Sequence, residues 1–454
     1  MPSRLPRPLR LLATCAAPLM GMIGCSATPP AAPPPVVAAP TPIAPTPTPT
    51  PRVLVDPAHP VMLGIDVLEA EGFAAIRGKT IGLLTHPAGV NMHGVSTIEV
   101  LRRAPGVHLV ALFSAEHGLY GEYARGVGYP DHLDPRSGLM AHSLYNGTGT
   151  RPTRAQLKGL DAVVIDLQDI GSRSYTFTSA MKMCMEGCFE NGVEVIVLDR
   201  PNPLSGLKVD GPPLDPQWTS YVGQFRVPYV HGLTIGELAL LAKDAPDVLK
   251  IPEAVRERGR LTVIAMRGWR RSMRWPDTGL KWVPTSPFIP DFAAVEGYPM
   301  TGLGSQWGGF KNGIGTAYPF RGVSFHGVHL DTLERELRAL NLPGIGFRRV
   351  SVPDPKTGKP EFGLYIEITD WDLWRPTELS AHLMQLACKF GARNPFAGMT
   401  SLQVRSLLIY WGSTQFYNDL AAHGSNVDVG AYVKDWQARA AIYQQQSRRY
   451  WLYH

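Results

Sequence analysis

Four short runs, "TIGLLT" (80–85), "HLVALFS" (108–114), "AVVIDLQ" (162–168) and "EVIVLDR" (194–200), are apolar on both faces. A strand that is wet on one side alternates apolar and polar residues. A run without that alternation must be covered above and below, as buried parallel strands are. Between these runs, "STIEVLRRA" (96–104) and "SYTFTSAMKMCMEGCFENG" (174–192) carry helical spacing, and Asn191-Gly192 supplies a stop for the second. Strands that alternate with helices predict βαβ units, an α/β chain and a parallel sheet with helices on both faces.

The rest of the chain divides around this core. Residues 119–160 are polar and rich in Gly, Asp and Pro, and read as a long excursion over a cleft. A helix is predicted at 234–244. A second α/β layer follows, with helices at 329–340 and 377–390 and a strand at 362–369. The border is placed at 240, giving a first domain over 59–240 and a smaller α/β domain over 241–454 that completes the cleft. At the other end, Arg4, Arg7 and Arg10 precede the apolar "LLATCAAPLMGMIG", which is too short to span a bilayer. It ends at Gly24-Cys25-Ser26 and resembles a bacterial lipoprotein signal over 1–25, with Cys25 as the lipidation site. The Pro/Ala/Thr-rich stretch 26–58 cannot build a core and favours extended polyproline II, the character of a stalk. Together these imply a periplasmic protein held to the outer membrane by its N-terminal lipid, with Ser26 as the sorting residue.

The net charge of +6 is partly terminal, and no Lys/Arg block with interleaved aromatics marks the body. Nucleic acid is therefore not an expected partner. Neither GxGxxG nor GxxxxGK[ST] occurs, nor HExxH or GxSxG, so no nucleotide, cofactor or zincin chemistry is indicated. Cys184 and Cys188, four apart on a helix, are badly placed for a bridge and read as buried thiols. No metal ligand set is assigned. A metal site built from scattered Asp and His at strand ends stays open as an alternative.

The polar residues converge instead. "HLVALFS" leads to Glu116-His117, "AVVIDLQ" carries Asp166 and leads to Asp169, and "EVIVLDR" ends at Asp199-Arg200. The carboxyl ends of parallel strands share one edge, where ligands bind. Paired carboxylates suit glycoside hydrolysis, one giving a proton to the leaving oxygen and one serving its partner role. Glu116 and Asp169 are the catalytic candidates. His117, Arg173, Tyr175, Asp199 and His231 are candidates for holding the sugar, with tryptophans and tyrosines of 269–320 as stacking faces. Each has a structural alternative. Asp199-Arg200 can be an ion pair, and His231 can simply lead into a helix capped by Thr234 and Glu237.

"GKTIGLLTHPAGV", "LFSAEHGLYG", "VVIDLQDIGSRSYTF", "VLDRPNPLSG", "VPYVHGLTIGELA" and "TGLKWVPTSPFIP", in this order, resemble the YbbC/NamZ type of exo-acting β-N-acetylmuramidases. The resemblance implies a Rossmann-like first domain, a cleft site, and release of terminal N-acetylmuramic acid, or a related amino sugar, from the non-reducing end of peptidoglycan fragments. It implies Glu116 as the catalytic acid, and Asp169, Arg173 and Tyr175 as members of the site. The chain departs from the pattern at His86, Ala115 and Phe288. It also departs at "KNGIGT" (311–316), where the pattern has an acid and an arginine. That loss leaves a second reading, a non-catalytic peptidoglycan-binding lipoprotein.

Overall fold

The structure is a computed structural model that describes residues 60–147, 149–351 and 362–454. The expected signal segment, Cys25 and all of the stalk lie outside the described residues. Among the described residues, seven strands make the first sheet: β1 (Thr80–Thr85), β2 (His108–Ser114), β3 (His132–Leu133), β4 (Met140–Ser143), β5 (Ala162–Asp166), β6 (Glu194–Leu198) and β7 (Leu261–Ile264). Their order is β3-β4-β2-β1-β5-β6-β7, parallel throughout except for the β3 edge.

The apolar runs divide between two faces with period two, as the pleat requires. Ile81, Leu83, Val164, Ile196 and Leu198 pack on one side with Ile65, Leu68, Ile98 and Leu101 from the helices Gly64–Ala70 and Thr97–Arg103. Leu84, Val163, Ile165, Val195 and Val197 pack on the other with Met181, Cys184, Met185 and Leu238, from the helices Phe177–Glu190 and Ile235–Asp244. Burial on both faces explains why these runs do not alternate, although the first three residues of β2 lie outside the covered part. Gly82 is demanded by close packing, since a Cβ there would sit 2.7 Å from the Phe113 ring.

The second of these cores continues through Val323, Leu364, Ile366, Leu383 and Trp411 into the rest of the chain. There β8 (Phe310–Lys311), β9 (Gly322–Phe325), β10 (Ile345–Ser351) and β11 (Phe362–Ile368) form a smaller antiparallel sheet in the order β10-β11-β9-β8. It is followed by the helices Glu378–Phe390, Ser401–Trp411, Thr414–His423 and Val429–Ser447.

Two sequence expectations shift. The strand near 260 lies beyond the border drawn at 240, yet it pairs with β6 and extends the first sheet to Ile264. The stretch 119–160 is more than an excursion, because it contributes β3 and β4. Four residues with only Ala141 buried leave β4 too weak a pattern to read.

The register places the carboxyl ends together. Thr85 lies opposite Ser114 on one side and Asp166 on the other. The strand order reverses between β1 and β5, so this edge is where an open α/β sheet leaves a crevice.

Candidate active site

β2 ends at Ser114, and the chain then turns sharply through His117 (φ 75°) and Gly118 (φ 80°). Glycine adopts this left-handed backbone freely, whereas histidine does so at a cost of about 1–3 kcal/mol, a strain typical of functional sites. The turn delivers Glu116 into a pocket of neutral donors. Its Oε1 accepts from the Gly126 N–H at 2.9 Å and from the Tyr145 hydroxyl at 3.2 Å. Its Oε2 meets the Thr176 hydroxyl at 3.1 Å. Gly126 holds φ 76°, which aims its N–H at the carboxylate.

The two oxygens differ chemically. A backbone N–H only donates, so Oε1 is an acceptor in either protonation state. The Thr176 hydroxyl can donate or accept, so Oε2 can carry a proton without losing its bond. Burial, followed by the charge of Glu116, pushes the Tyr145 phenol well above its usual range, so it stays a donor. His117 places Nδ1 2.9 Å from the Tyr123 carbonyl, which makes Nδ1 the donor, so that in the neutral ring Nε2 is the acceptor.

Glu116 and His117 line a cavity of about 470 Å³, within the range of small-ligand sites. Its wall draws on distant parts of the chain: Arg125 and Tyr145 from the 119–160 stretch, residues 174–177 at the start of the helix Phe177–Glu190, Tyr298, and Tyr410 near the end of the helix Ser401–Trp411. Among the described residues lining it, Glu116 is the sole carboxylate and Arg125 the sole permanent cation.

The other expected site residues divide sharply. Tyr175 lines the cavity and hydrogen-bonds Thr285 through its hydroxyl. Asp169 does not reach the cavity wall. Its Oδ2 accepts from the Gly171 N–H at 2.7 Å and from His231 Nε2 at 3.2 Å, and both side chains are buried. The Leu233 N–H donates to His231 Nδ1, so Nε2 carries the proton toward Asp169. The pair clamps the 169–175 loop to the segment around Val230, which also bridges Ser172. The expectation that Asp169 faces the same hollow as Glu116 is thus corrected, because the loop turns its carboxylate inward.

Arg173 is corrected likewise. Its guanidinium donates to the carbonyls of Pro212 and Val227 at 2.8 Å, and to those of Tyr410 and Trp411 at 3.2 and 3.0 Å. Burial pulls its pKa down to about 10, against the opposing electrostatic pull of Tyr229 and Asp215. It caps the C-terminal end of the helix Ser401–Trp411, where a cation is favoured, and so fixes Tyr410 at the cavity. Asp199 is fully buried and accepts from Tyr453 and Thr234 hydroxyls at 2.5 and 2.8 Å and from the Gly236 N–H at 2.7 Å. Asp199 and Arg200 do not pair side chain to side chain. Arg200 instead grips Asp166, Nε to Oδ1 at 2.5 Å and a terminal NH₂ group to Oδ2 at 2.9 Å. Thr234 and Glu237 form the anticipated capping box.

Of the expected stacking faces only Tyr298 lines the cavity, its hydroxyl 3.1 Å from Ser174. Trp269 and Trp275 are buried against Tyr453 and Trp282. Sequence reasoning missed Arg125, Tyr145, Thr176 and Tyr410. Thr176 had a usable signal, since it immediately precedes a helix, whereas Tyr145 follows a strand too weak to read. Tyr410, on a helix over two hundred residues away, had none. Cys184 and Cys188 are free and buried. Among the described residues no three His, Cys, Asp or Glu side chains gather as a metal site.

Comparison with known proteins shows the family. The models of the N- and C-terminal parts of exo-β-N-acetylmuramidase NamZ match residues 81–293 and 296–453. The chain belongs to the NamZ exo-β-N-acetylmuramidase family. The peptidoglycan β-N-acetylmuramidase NamZ of Bacillus subtilis is 37% identical over 316 residues, 69% of this chain and 73% of that protein. A crystal structure of a DUF1343 family protein from Bacteroides fragilis superposes with TM-score 0.77 at 33% identity, covering 87% of this chain and 99% of that one. A second DUF1343 protein of that organism shares the fold at TM-score 0.65 and 23% identity, with the same coverage.

The departures from the NamZ pattern fall at and under this wall. Phe288 lines the cavity, and so does Ile314 of "KNGIGT", so the segment that lacks the acid and arginine contributes an apolar surface. His86 lies beneath, its Nε2 accepting from the Gln168 N–H at 2.8 Å and its ring against Phe177 at 4.4 Å. Burial, followed by the charge of Arg200, holds His86 well below the usual imidazole range and therefore neutral.

Proposed function

We propose that this chain is an exo-acting glycosidase that releases a terminal N-acetylmuramic acid from the non-reducing end of peptidoglycan fragments, with Glu116 as its general acid and base. The carrying observation is that Glu116 is the sole carboxylate among the described residues lining the cavity, with Oε2 on a hydroxyl that can donate or accept. Family membership supports the substrate class.

With one carboxylate among the described lining residues, the second catalytic group in this reading is the sugar's own 2-acetamido oxygen. That oxygen bonds to C1 as the glycosidic C1–O bond breaks, and the departing oxygen takes the proton from Glu116. Water then attacks C1, gives its proton to Glu116, and the bond to the acetamido oxygen reopens. Two displacements at C1 retain its configuration. His117, through its acceptor Nε2, holds a sugar hydroxyl, and Tyr175 and Tyr298 shape the ring's bed. Asp169, His231, Arg173 and Asp199 hold the walls.

A chromogenic β-N-acetylmuramide tests this. Wild type turns it over with retention, read by proton NMR of the first-formed sugar. Glu116→Gln loses a factor of about 10²–10⁴, the usual worth of acid–base catalysis. An inverted product, or a fully active Glu116→Gln enzyme, overturns the assignment. Binding of wall fragments without turnover would point to the non-catalytic lipoprotein instead.

Residues 1–58 support a second element of the proposal. Arg4, Arg7, Arg10, the apolar stretch and Cys25 form a lipoprotein-type signal, and the Pro-rich stalk spaces the enzyme from the periplasmic side of the outer membrane. Among the described residues no helix is long and apolar enough to cross a membrane. Palmitate labelling that persists in Cys25→Ser would refute the anchor.

A further inference from the structure

A muramic acid residue differs from N-acetylglucosamine by one group, the lactyl ether on C3, which ends in a carboxylate. Arg173 was a candidate for holding the sugar, but all its hydrogen bonds among the described residues go to carbonyls buried in the wall. A different arginine is presented to the ligand.

Arg125 lines the cavity and is exposed there. Among the described residues its guanidinium makes one hydrogen bond, from a terminal NH₂ group to the Tyr410 hydroxyl at 3.2 Å. Tyr410 accepts that bond and keeps its own proton to give. The two side chains therefore offer a planar array of N–H donors with an O–H beside it, a match for the two oxygens of a carboxylate. Placement is fixed from both sides. Arg125 is the chain neighbour of Gly126, whose N–H holds the Glu116 carboxylate. Tyr410 is tethered through its carbonyl to Arg173. The cation thus stands beside the catalytic acid, as the C3 substituent stands beside C1 across the acetamido-bearing C2.

We propose that Arg125, oriented by Tyr410, is the receptor for the lactyl carboxylate and sets the preference for muramic acid over glucosamine sugars. This rests on the glycosidase reading above. It also gives the buried Arg173 its task, which is to fix the helix end that carries Tyr410.

The test is a ratio. Wild type, Arg125→Ala and Arg125→Lys are assayed on chromogenic β-N-acetylmuramide and β-N-acetylglucosaminide, and on the muramide with its lactyl carboxylate converted to the neutral amide. Arg125→Ala is expected to lower the muramide-to-glucosaminide ratio of kcat/KM by about 10- to 100-fold, the worth of a hydrogen bond to a charged group. Its acid-to-amide ratio should fall equally, while Arg125→Lys recovers part of both. Ratios at the wild-type value in Arg125→Ala overturn the proposal. If wild type turns over none of these sugars, it is the glycosidase reading that fails. Calorimetric affinities for N-acetylmuramic acid and N-acetylglucosamine then give the same ratio, and an Arg125→Ala variant that leaves it unmoved overturns the receptor too.

Discussion

The ends of β2 and β5 look alike in sequence, each an apolar strand running into an acid at the same edge of one sheet. They end in opposite conditions. Asp166 is fully buried, gripped by the Arg200 guanidinium and the Thr97 hydroxyl, and Arg200 is spent further on the Val90 carbonyl. Glu116 is held by an N–H and two hydroxyls, and it borders open space. A carboxylate locked to a buried cation is a rivet. A carboxylate held by neutral donors at a cavity can exchange a proton. The partner type and the adjoining void, rather than the strand end, separate chemistry from architecture.

The comparison is sharpest at Glu116→Gln. Activity on the muramide should fall by the factor given above, while the melting temperature stays within about 2 °C, because the amide oxygen can still accept from Gly126 and Tyr145. A large loss of stability would put Glu116 with the rivets. Arg200→Met should act the other way. It strands a buried Asp166 charge and should cost about 3–5 kcal/mol in urea unfolding. A variant as stable as wild type but inactive would move Asp166 and Arg200 into the site. The smallest effect is expected at Asp169→Asn, which weakens the clamp between Gly171 and His231. It should cost about 1–3 kcal/mol of stability and less than tenfold in kcat, with the pH profile of kcat unchanged. A lost limb in that profile at wild-type stability would restore Asp169 as a catalytic partner.

Much of the architecture was legible before any coordinates. The doubly buried runs specify a covered parallel sheet because burial on both faces removes alternation. The Thr234–Glu237 capping box was legible because it is local, three residues of spacing and one helix start. Glu116 stood out because a strand end followed by a tight turn is also a local pattern. The antiparallel sheet and the last three helices were less visible, since their strands are short or half exposed and the helices carry mixed faces.

By itself, then, the sequence determined the sheet, its faces and which acids reach its carboxyl edge, since periodicity and turns are written over a few neighbouring residues. Tertiary structure alone decided which acid meets a cavity, that Asp169 and Arg173 turn inward, and that Arg125 and Tyr410 stand together there. Those outcomes depend on contacts across up to 285 residues, where burial, available donors and leftover space are set by the packing of the whole chain.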